Sequence, residues 1–370
     1  MNLTATRTQP PTPSAAPTPV PVPVPVPLVV VGVDTHQRTH TAAVIDTQHR
    51  RLGYREFEVS ATGYRDLLEW AAGHGTITRV GVESTGSYGA GLTTHLLGSD
   101  LDVVEVNRPE KATRIKQGKS DPVDAYCAAE QVLTGRASGR PKARTGVVEA
   151  IRAVKVPRDA AVKNRTAAFS QLRDLITTAP TTIHDDLIAL TGRQRVAKAL
   201  LMRPDPARVA EPVHATRHAL RAVARRITGL DKEIKDADKI LAKLTKTAAP
   251  TLLAMRQVGT QSAAQFLITG GQNIDRMTNE ATFAKLTGVA PLPASSGKTT
   301  RHRLNRGGDR QANSALYMVV IGRMNNHPET QAYVERRRAQ GMSNPEIIRC
   351  LKRHLARHIY RALKADLTTP

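Results

Sequence analysis

Apolar and polar positions change rhythm three times along this chain. Residues 1–27 have no period: prolines at every second position from 17 to 27 forbid an α-helix and predict a disordered or polyproline II tail, with Arg7 its one charge. The apolar stretch over 20–33 is therefore not a membrane segment, and no run of about 18 helix-compatible apolar residues occurs elsewhere, so no membrane partner is expected. From Leu28 a continuous β-branched run, Leu28-Val29-Val30-Val31-Gly32-Val33, ends on Asp34, which predicts a buried strand closing on a carboxylate. Residues 41–45 and 55–59 alternate like antiparallel neighbours, and residues 64–71 have helical spacing. Residues 79–83 repeat the device of a strand ending in an acid, Glu83, and residues 101–106 predict a further strand. A helix then starts at Ser120 or Asp121, either serving as cap, with Pro122 in its first turn. Three strands followed by helix, strand, helix, strand and helix predict an α/β domain with a mixed sheet over residues 28–135.

Residues 136–249 carry apolar positions at helical spacing, among them Ala215, Leu220, Val223, Ile227, Leu230, Ile234, Ala237, Ile240, Leu241 and Leu244. Long helices are predicted, broken at Ala179-Pro180 and at Arg203-Pro204-Asp205-Pro206. The near-heptad run over 214–246 suits either pairing with a second copy or a hairpin within one chain. Residues 250–370 read as a mainly α-helical domain that opens with helix, tight turn at Gly259, helix. That is the pattern of a helix-hairpin-helix, whose turn offers backbone amides to phosphate, and equally of an ordinary helical turn.

Charge sharpens the picture. Of 370 residues 54 are Lys or Arg and 32 Asp or Glu, a net charge of +22, which points to a polyanionic partner. The charge is unevenly spread: net −3 over residues 29–130, +14 over 131–289 and +10 over 290–370. Aromatics are only 3% of the chain, which argues against base-stacking modules and favours phosphate-led contacts. Two cysteines, Cys127 and Cys350, supply neither a zinc site nor a disulfide framework and fit a reducing cytoplasm.

The acids concentrate where the rest of the chain is basic. Asp34 and Glu83 end two separated strands, while Asp121 and Asp124, three apart, share a helix face. Four gathered carboxylates repel unless cations sit between them, and oxygen-only donors favour Mg²⁺ or Mn²⁺, which suit in-line displacement at phosphorus; the bland alternative is chance acids after strands and a helix cap. His36, and the basic run Lys111, Arg114, Lys116 and Lys119, lie beside these acids in sequence and either contact phosphate or are simply solvated. Lys298, Arg301, Arg303, Arg306 and Arg310 form a second basic cluster.

Three motifs carry a resemblance. Gly32-Val33-Asp34-Thr35-His36, Glu83-Ser84-Thr85-Gly86 and Lys119-Ser120-Asp121-Pro122-Val123-Asp124-Ala125 resemble the motifs of the DEDD transposases of the IS110/IS116/IS902 insertion-sequence family. The stretch from Leu286 to Lys298, followed by Arg303, Asn305, Gly307, Gly308 and Asn313, is similar to that family's transposase domain. The resemblance implies a RuvC-like, RNase H-type domain in which Asp34, Glu83, Asp121 and Asp124 bind Mg²⁺ or Mn²⁺, and a coiled-coil middle segment. It further implies a nucleophilic serine before a glycine, matched by Ser296 with Ser295 as the other register, a homo-oligomer, DNA ends and target as substrates, and an element-encoded guide RNA. Lys116, Lys119, Lys298, Arg301, Arg303, Arg306 and Arg310 would then contact nucleic acid, in a cytoplasmic, nucleoid-associated protein. Two other readings stay open: a Holliday-junction nuclease using only the four acids on water, and a non-catalytic basic DNA-binding protein.

Overall fold

The computed structural model describes residues 26–107, 120–297 and 302–368. The expected tail over residues 1–25, and the expected contacts Lys116, Lys119, Lys298 and Arg301, lie outside the described residues.

The first part is a five-stranded mixed sheet. Strands β1 (Leu28–Thr35), β2 (Thr39–Asp46) and β3 (Arg51–Glu58) form an antiparallel meander, and β4 (Thr76–Glu83) and β5 (Val103–Val106) add in parallel beside β1, giving the order β3-β2-β1-β4-β5. Helices α1 (Ala61–Ala72) and α2 (Ala90–Gly98) cover one face and α3 (Asp121–Leu133) the other. The two-residue period of a strand sorts the side chains: Val29, Val31, Val33, Val80 and Val82 pack toward α1 and α2. Val30, Ala43, Ile45, Val104 and Val106 pack toward α3. Both faces are covered, which is why β1 reads as an unbroken apolar run.

Ser120 stands at the N-cap of α3 but its side chain makes no capping hydrogen bond, so the cap expected from sequence contributes no bond there. The third strand begins four residues earlier than the alternation suggested, because β3 is an exposed edge strand whose start, Arg51-Leu52, has no buried side chain to reveal it.

The expected long helices follow as α4 (Gly146–Thr177), α5 (Thr181–Ile188), α6 (Gly192–Leu201) and α7 (Pro212–Ala248), with Pro180 at the N-cap of α5 and the Arg203–Pro206 break between α6 and α7. Helices α4 and α7 pack along each other within the chain, burying Ala168, Leu172, Ile176, Leu220, Val223 and Ile227. Of the expected apolar positions on α7, Ala215 and Ile240 are exposed.

The remainder is mostly helical: α8 (Pro250–Ala254), α9 (Thr260–Gly270), α10 (Glu280–Leu286), α11 (Arg310–Asn326), α12 (Pro328–Ala339) and α13 (Asn344–Thr368), with a two-stranded ribbon of β6 (Leu292–Pro293) and β7 (His302–Arg303) between α10 and α11. Gly259 is the N-cap of α9, in the turn that follows the short helix α8. The core of this part centres on Phe266, Phe283, Leu316, Ile359 and Leu363 and takes in Ile151 of α4 and Leu241 of α7. Among the described residues no helix is long and apolar enough to cross a membrane.

Candidate metal centre and serine loop

The corner at the carboxyl ends of β1 and β4 is built by two glycines. Gly32 and Gly81 are register partners on these neighbouring parallel strands, both on the α3 face. A methyl group on Gly32 would overlap the backbone of α3 at Ala125 O and Ala129 N, and one on Gly81 would lie 2.6 Å from Val132 Cγ2. Bare glycine thus lets α3 settle onto the sheet. Two residues beyond each glycine, on the same face, come Asp34 and Glu83. Helical spacing then turns Asp124, Ala125, Ala128, Ala129 and Val132 toward the sheet, which carries Asp121 and Asp124 to the same corner.

Asp34, Glu83 and Asp124 are 7%, 4% and 3% exposed, whereas the Asp121 side chain is 45% exposed. Asp34, His36 and Asp121 form one group whose ligating atoms lie within 4.8 Å of one another. His36 Nε2 is 3.2 Å from Asp34 Oδ2 and 3.4 Å from Asp121 Oδ1. Glu83 and Asp124 sit at this corner but outside that set. Burial raises the pKa of Asp34 above the usual aspartate range; His36 opposes the shift, and Asp124 and Asp121 add to it by repulsion. A divalent cation would offset both the desolvation cost and the repulsion, so the residues present fit one. This candidate donor group is not all oxygen, since the imidazole of His36 lies within it, where the sequence alone favours a solvated loop side chain over a contact to phosphate. Its signal was the spacing, two residues past Asp34 on a strand end.

The turn after Glu83 is held tightly. Ser84 has φ +50, in the left-handed region that a serine occupies only under constraint, and the Ser84 carbonyl accepts from Ser87 N at 2.8 Å and Gly89 N at 3.2 Å. Thr35 Oγ1 donates to the Glu83 carbonyl at 3.1 Å, tying the two strand ends together, and Thr85 Oγ1 donates to Glu105 Oε1 at 2.8 Å.

The second group of expected residues lies on a loop closed by backbone contact. Gly308 approaches Gly288 so closely that a Cβ on it would lie 2.9 Å from Thr287 C, and Gly288 itself has φ +69. Asn305 Nδ2 donates to Lys285 O at 3.2 Å and Asn313 Nδ2 to Thr287 O at 2.8 Å. The glycines and asparagines of this motif are therefore the clasp of the loop. Ser295 and Ser296 lie exposed past β6, and Gly297, with φ +55, has open space around its Cα. Arg303, Arg306 and Arg310 are exposed at the base of the same loop.

A cleft of 1150 Å³ opens between this base and α13. Its far wall carries Arg349, Lys352 and Arg353, spaced i, i+3 and i+4 on one helix, which the sequence reading missed although that spacing was visible.

Comparison with known proteins agrees with the motifs. A transposase family model, DEDD_Tnp_IS110, matches residues 31–179, and the model for transposases of the IS116/IS110/IS902 family matches residues 249–335. An uncharacterised 43.6 kDa protein of insertion element IS110 from Streptomyces coelicolor is 31% identical over 117 residues, 31% of this chain and 29% of the relative. An uncharacterised 42 kDa protein of insertion element IS900 from Mycobacterium paratuberculosis is 24% identical over 145 residues, 38% of this chain and 36% of the relative. The mini-circle "putative transposase" for IS117 of Streptomyces coelicolor is 24% identical over 366 residues, 84% of this chain and 87% of the relative. The chain thus spans about a third of the length of the first two relatives and most of the third.

Proposed function

Since the chain belongs to the IS110/IS116/IS902 family of transposases, we propose that it cuts and rejoins DNA strands at the ends and target of an insertion element. The observation that carries this reading is the acidic corner: Glu83 from the other strand end and Asp121 and Asp124 from the first turn of α3 gathered at a buried Asp34, which Asp124 and Asp121 repel. Asp34, Glu83, Asp121 and Asp124 would hold Mg²⁺ or Mn²⁺, with His36 beside them. The metal would supply charge neutralisation at the scissile phosphate. The strand order of the sheet supports an RuvC-like, RNase H-type assignment for residues 28–135.

Ser296, or Ser295 in the adjacent register, would attack phosphorus through its Oγ and lose its proton to solvent or a neighbouring base, while the P–O bond to the DNA breaks and the leaving oxygen takes up a proton to become a strand-end hydroxyl. The bond energy stays in a phosphoserine link that the partner strand later reverses. Exposure of both serines on a clasped loop supports access to a strand. A homo-oligomer paired through the middle helices, and a guide RNA that selects the sites, complete the proposal for a nucleoid-associated enzyme. The low aromatic content suits a protein that leaves sequence reading to base pairing.

The test is a recombination assay on element-end DNA with Mg²⁺, with and without the transcript flanking the gene. Ser296→Ala is expected to lose the covalent adduct and strand exchange but to keep nucleic-acid binding. Metal-dependent scission with no adduct in the wild type would favour the junction nuclease, and no scission at all the binding protein. Full site selection without RNA would remove the guided part.

A further inference from the structure

The cleft between the serine loop and α13 has two basic walls, with Glu346 the one carboxylate among its lining residues. On one wall stand Arg303, Arg306 and Arg310, and on the other Arg349, Lys352 and Arg353. Among the described residues none of the six forms an ion pair with a carboxylate, whereas one or two turns further along α13 Arg357 lies 2.7 Å and Arg361 3.9 Å from Glu280. Arg349, Arg353, Arg357 and Arg361 follow one another at i, i+4 spacing, so a single row of α13 is paired with Glu280 where it passes α10 and is without an ion pair where it borders the cleft. Like charges at i, i+3 and i+4 destabilise a helix, so this arrangement is a cost in the free protein. Burial and the neighbouring Arg349 lower the pKa of Lys352, whose Nζ donates to Asn313 Oδ1 at 2.7 Å, and Arg353 Nη1 is buried with no hydrogen-bond partner. Glu346, the acid of the lining, accepts from Ser343 N and Oγ at 3.0 and 2.6 Å and lies near Arg349. It caps its own helix.

The space itself narrows the ligand. At 1150 Å³ the cleft exceeds the range of about 300–1,000 Å³ usual for small-molecule pockets. No Phe, Tyr or Trp lines it, and its imidazoles, His302 and His354, are outnumbered by its arginines and lysine, so phosphate contacts outweigh base stacking. We propose that it seats the phosphodiester backbone of duplex DNA between the base of the serine loop and α13, with Arg349, Lys352 and Arg353 as its second wall. The identity of the nucleic acid rests on the transposase reading; the phosphate chemistry of the cleft does not. Arg303 of the cleft pairs with Leu292 across the ribbon of β6 and β7, and Ser296 follows β6 in sequence, which ties the cleft to the serine loop.

The experiment is equilibrium binding of the full chain to a labelled duplex of about 25 base pairs and arbitrary sequence, across a salt series, since each phosphate contact contributes about 0.9 to the log–log slope. Arg349→Gln/Arg353→Gln is expected to lower the slope by about two and weaken binding at least tenfold. Arg349→Lys/Arg353→Lys is expected to retain the slope, because phosphate neutralisation needs only the charge. Lys232→Gln/Lys235→Gln, which removes the same charge from the exposed face of α7, is expected to leave it unchanged. A folded Gln variant with the wild-type slope, or an equal loss in the α7 control, overturns the cleft. Strand scission is scored separately: slope loss in a protein that never cleaves DNA removes the proposed function and keeps the cleft, and cleavage with an unchanged slope does the reverse.

Discussion

At the scale of single residues the acidic corner makes a thermodynamic statement. The carboxyl of Asp34 keeps its proton in the folded chain at pH values where the unfolded chain has lost it, chiefly because it is buried. A raised aspartate pKa favours the folded state as pH falls through it and opposes that state at neutral pH. Asp34→Asn is therefore expected to raise the melting temperature of metal-free protein at pH 7 by a few degrees, and to abolish the further rise that Mn²⁺ or Mg²⁺ produces in the wild type. Calorimetry of both proteins with chelator and with metal decides it; a variant that still gains stability from metal removes Asp34 from the site. His40 works with the opposite sign. It is fully buried, stacked on Tyr64 with ring centroids 5.9 Å apart, and burial lowers its pKa from 6.5. The unfolded chain takes up a proton below about that pH while the folded chain resists, so stability falls as pH drops from about 6.5 toward the depressed folded value. Melting curves from pH 7.5 to 5 are expected to fall less steeply for His40→Leu than for the wild type, and parallel slopes would show that His40 titrates freely.

Elements carry the next part of the argument. The sequence made Asp34 and Glu83 legible because each ends an apolar run, a local signal. It did not show why two such ends meet. That depends on Gly32 and Gly81, whose missing side chains matter only because α3, some ninety residues after Gly32 and forty after Gly81, lies against them. Gly32→Ala forces its Cβ into helix backbone, while Gly81→Ala meets the movable side chain of Val132. Overpacking of a rigid contact costs about 1–3 kcal/mol or more. Gly32→Ala is expected to destabilise the chain by at least that amount and to lose the metal-induced shift as Asp121 and Asp124 are pushed away; Gly81→Ala is expected to cost less and keep part of the shift. Denaturant melts with and without Mn²⁺ check the order, and equal, small effects would show that α3 does not rest on this shelf. The long amphipathic helix α7 was legible from its period, but its partner was not, and Ile240, apolar and in phase, proves 49% exposed. The ribbon of β6 and β7 left no trace, since two-residue strands have no period to read.

For the whole molecule the question is how the acidic corner and the serine loop are kept in one frame. A strap over residues 139–148 joins them. Glu105 N donates to Gly139 O at 2.7 Å, and Arg144 donates to the Gly86 carbonyl in the turn after Glu83. From the other side Asn273 bonds the strap twice, accepting from Ala143 N at 2.8 Å and donating to Pro141 O at 2.9 Å, and Lys142 Nζ donates to Ile268 O at 2.9 Å. Thr269 and Asp309 continue the chain: Thr269 Oγ1 donates at 2.8 Å to Asp309, the N-cap of α11, whose first residue is Arg310 of the basic cleft. None of these contacts was legible in sequence, because each joins residues distant along the chain through groups with no pattern of their own. Lys142 makes the strap sensitive to pH. Burial, helped by Arg276, lowers its pKa from 10.5 to about 8 against the opposing pull of Asp309 and Glu105. Below about pH 8 a charged ammonium is held out of water at a cost; above it the folded amine is neutral while the unfolded lysine stays charged up to 10.5, so this contribution to stability grows with pH across that window. Hydrogen exchange of residues 139–148, corrected for the intrinsic pH dependence of exchange, is expected to slow between pH 7.5 and 9.5 in the wild type and to show no such trend in Lys142→Met. Asn273→Ala, which removes both bonds to the strap, is expected to speed its exchange at every pH. Equal protection in Asn273→Ala and wild type would mean that the strap is held by its packing alone, and that the corner and the loop are registered by some other contact.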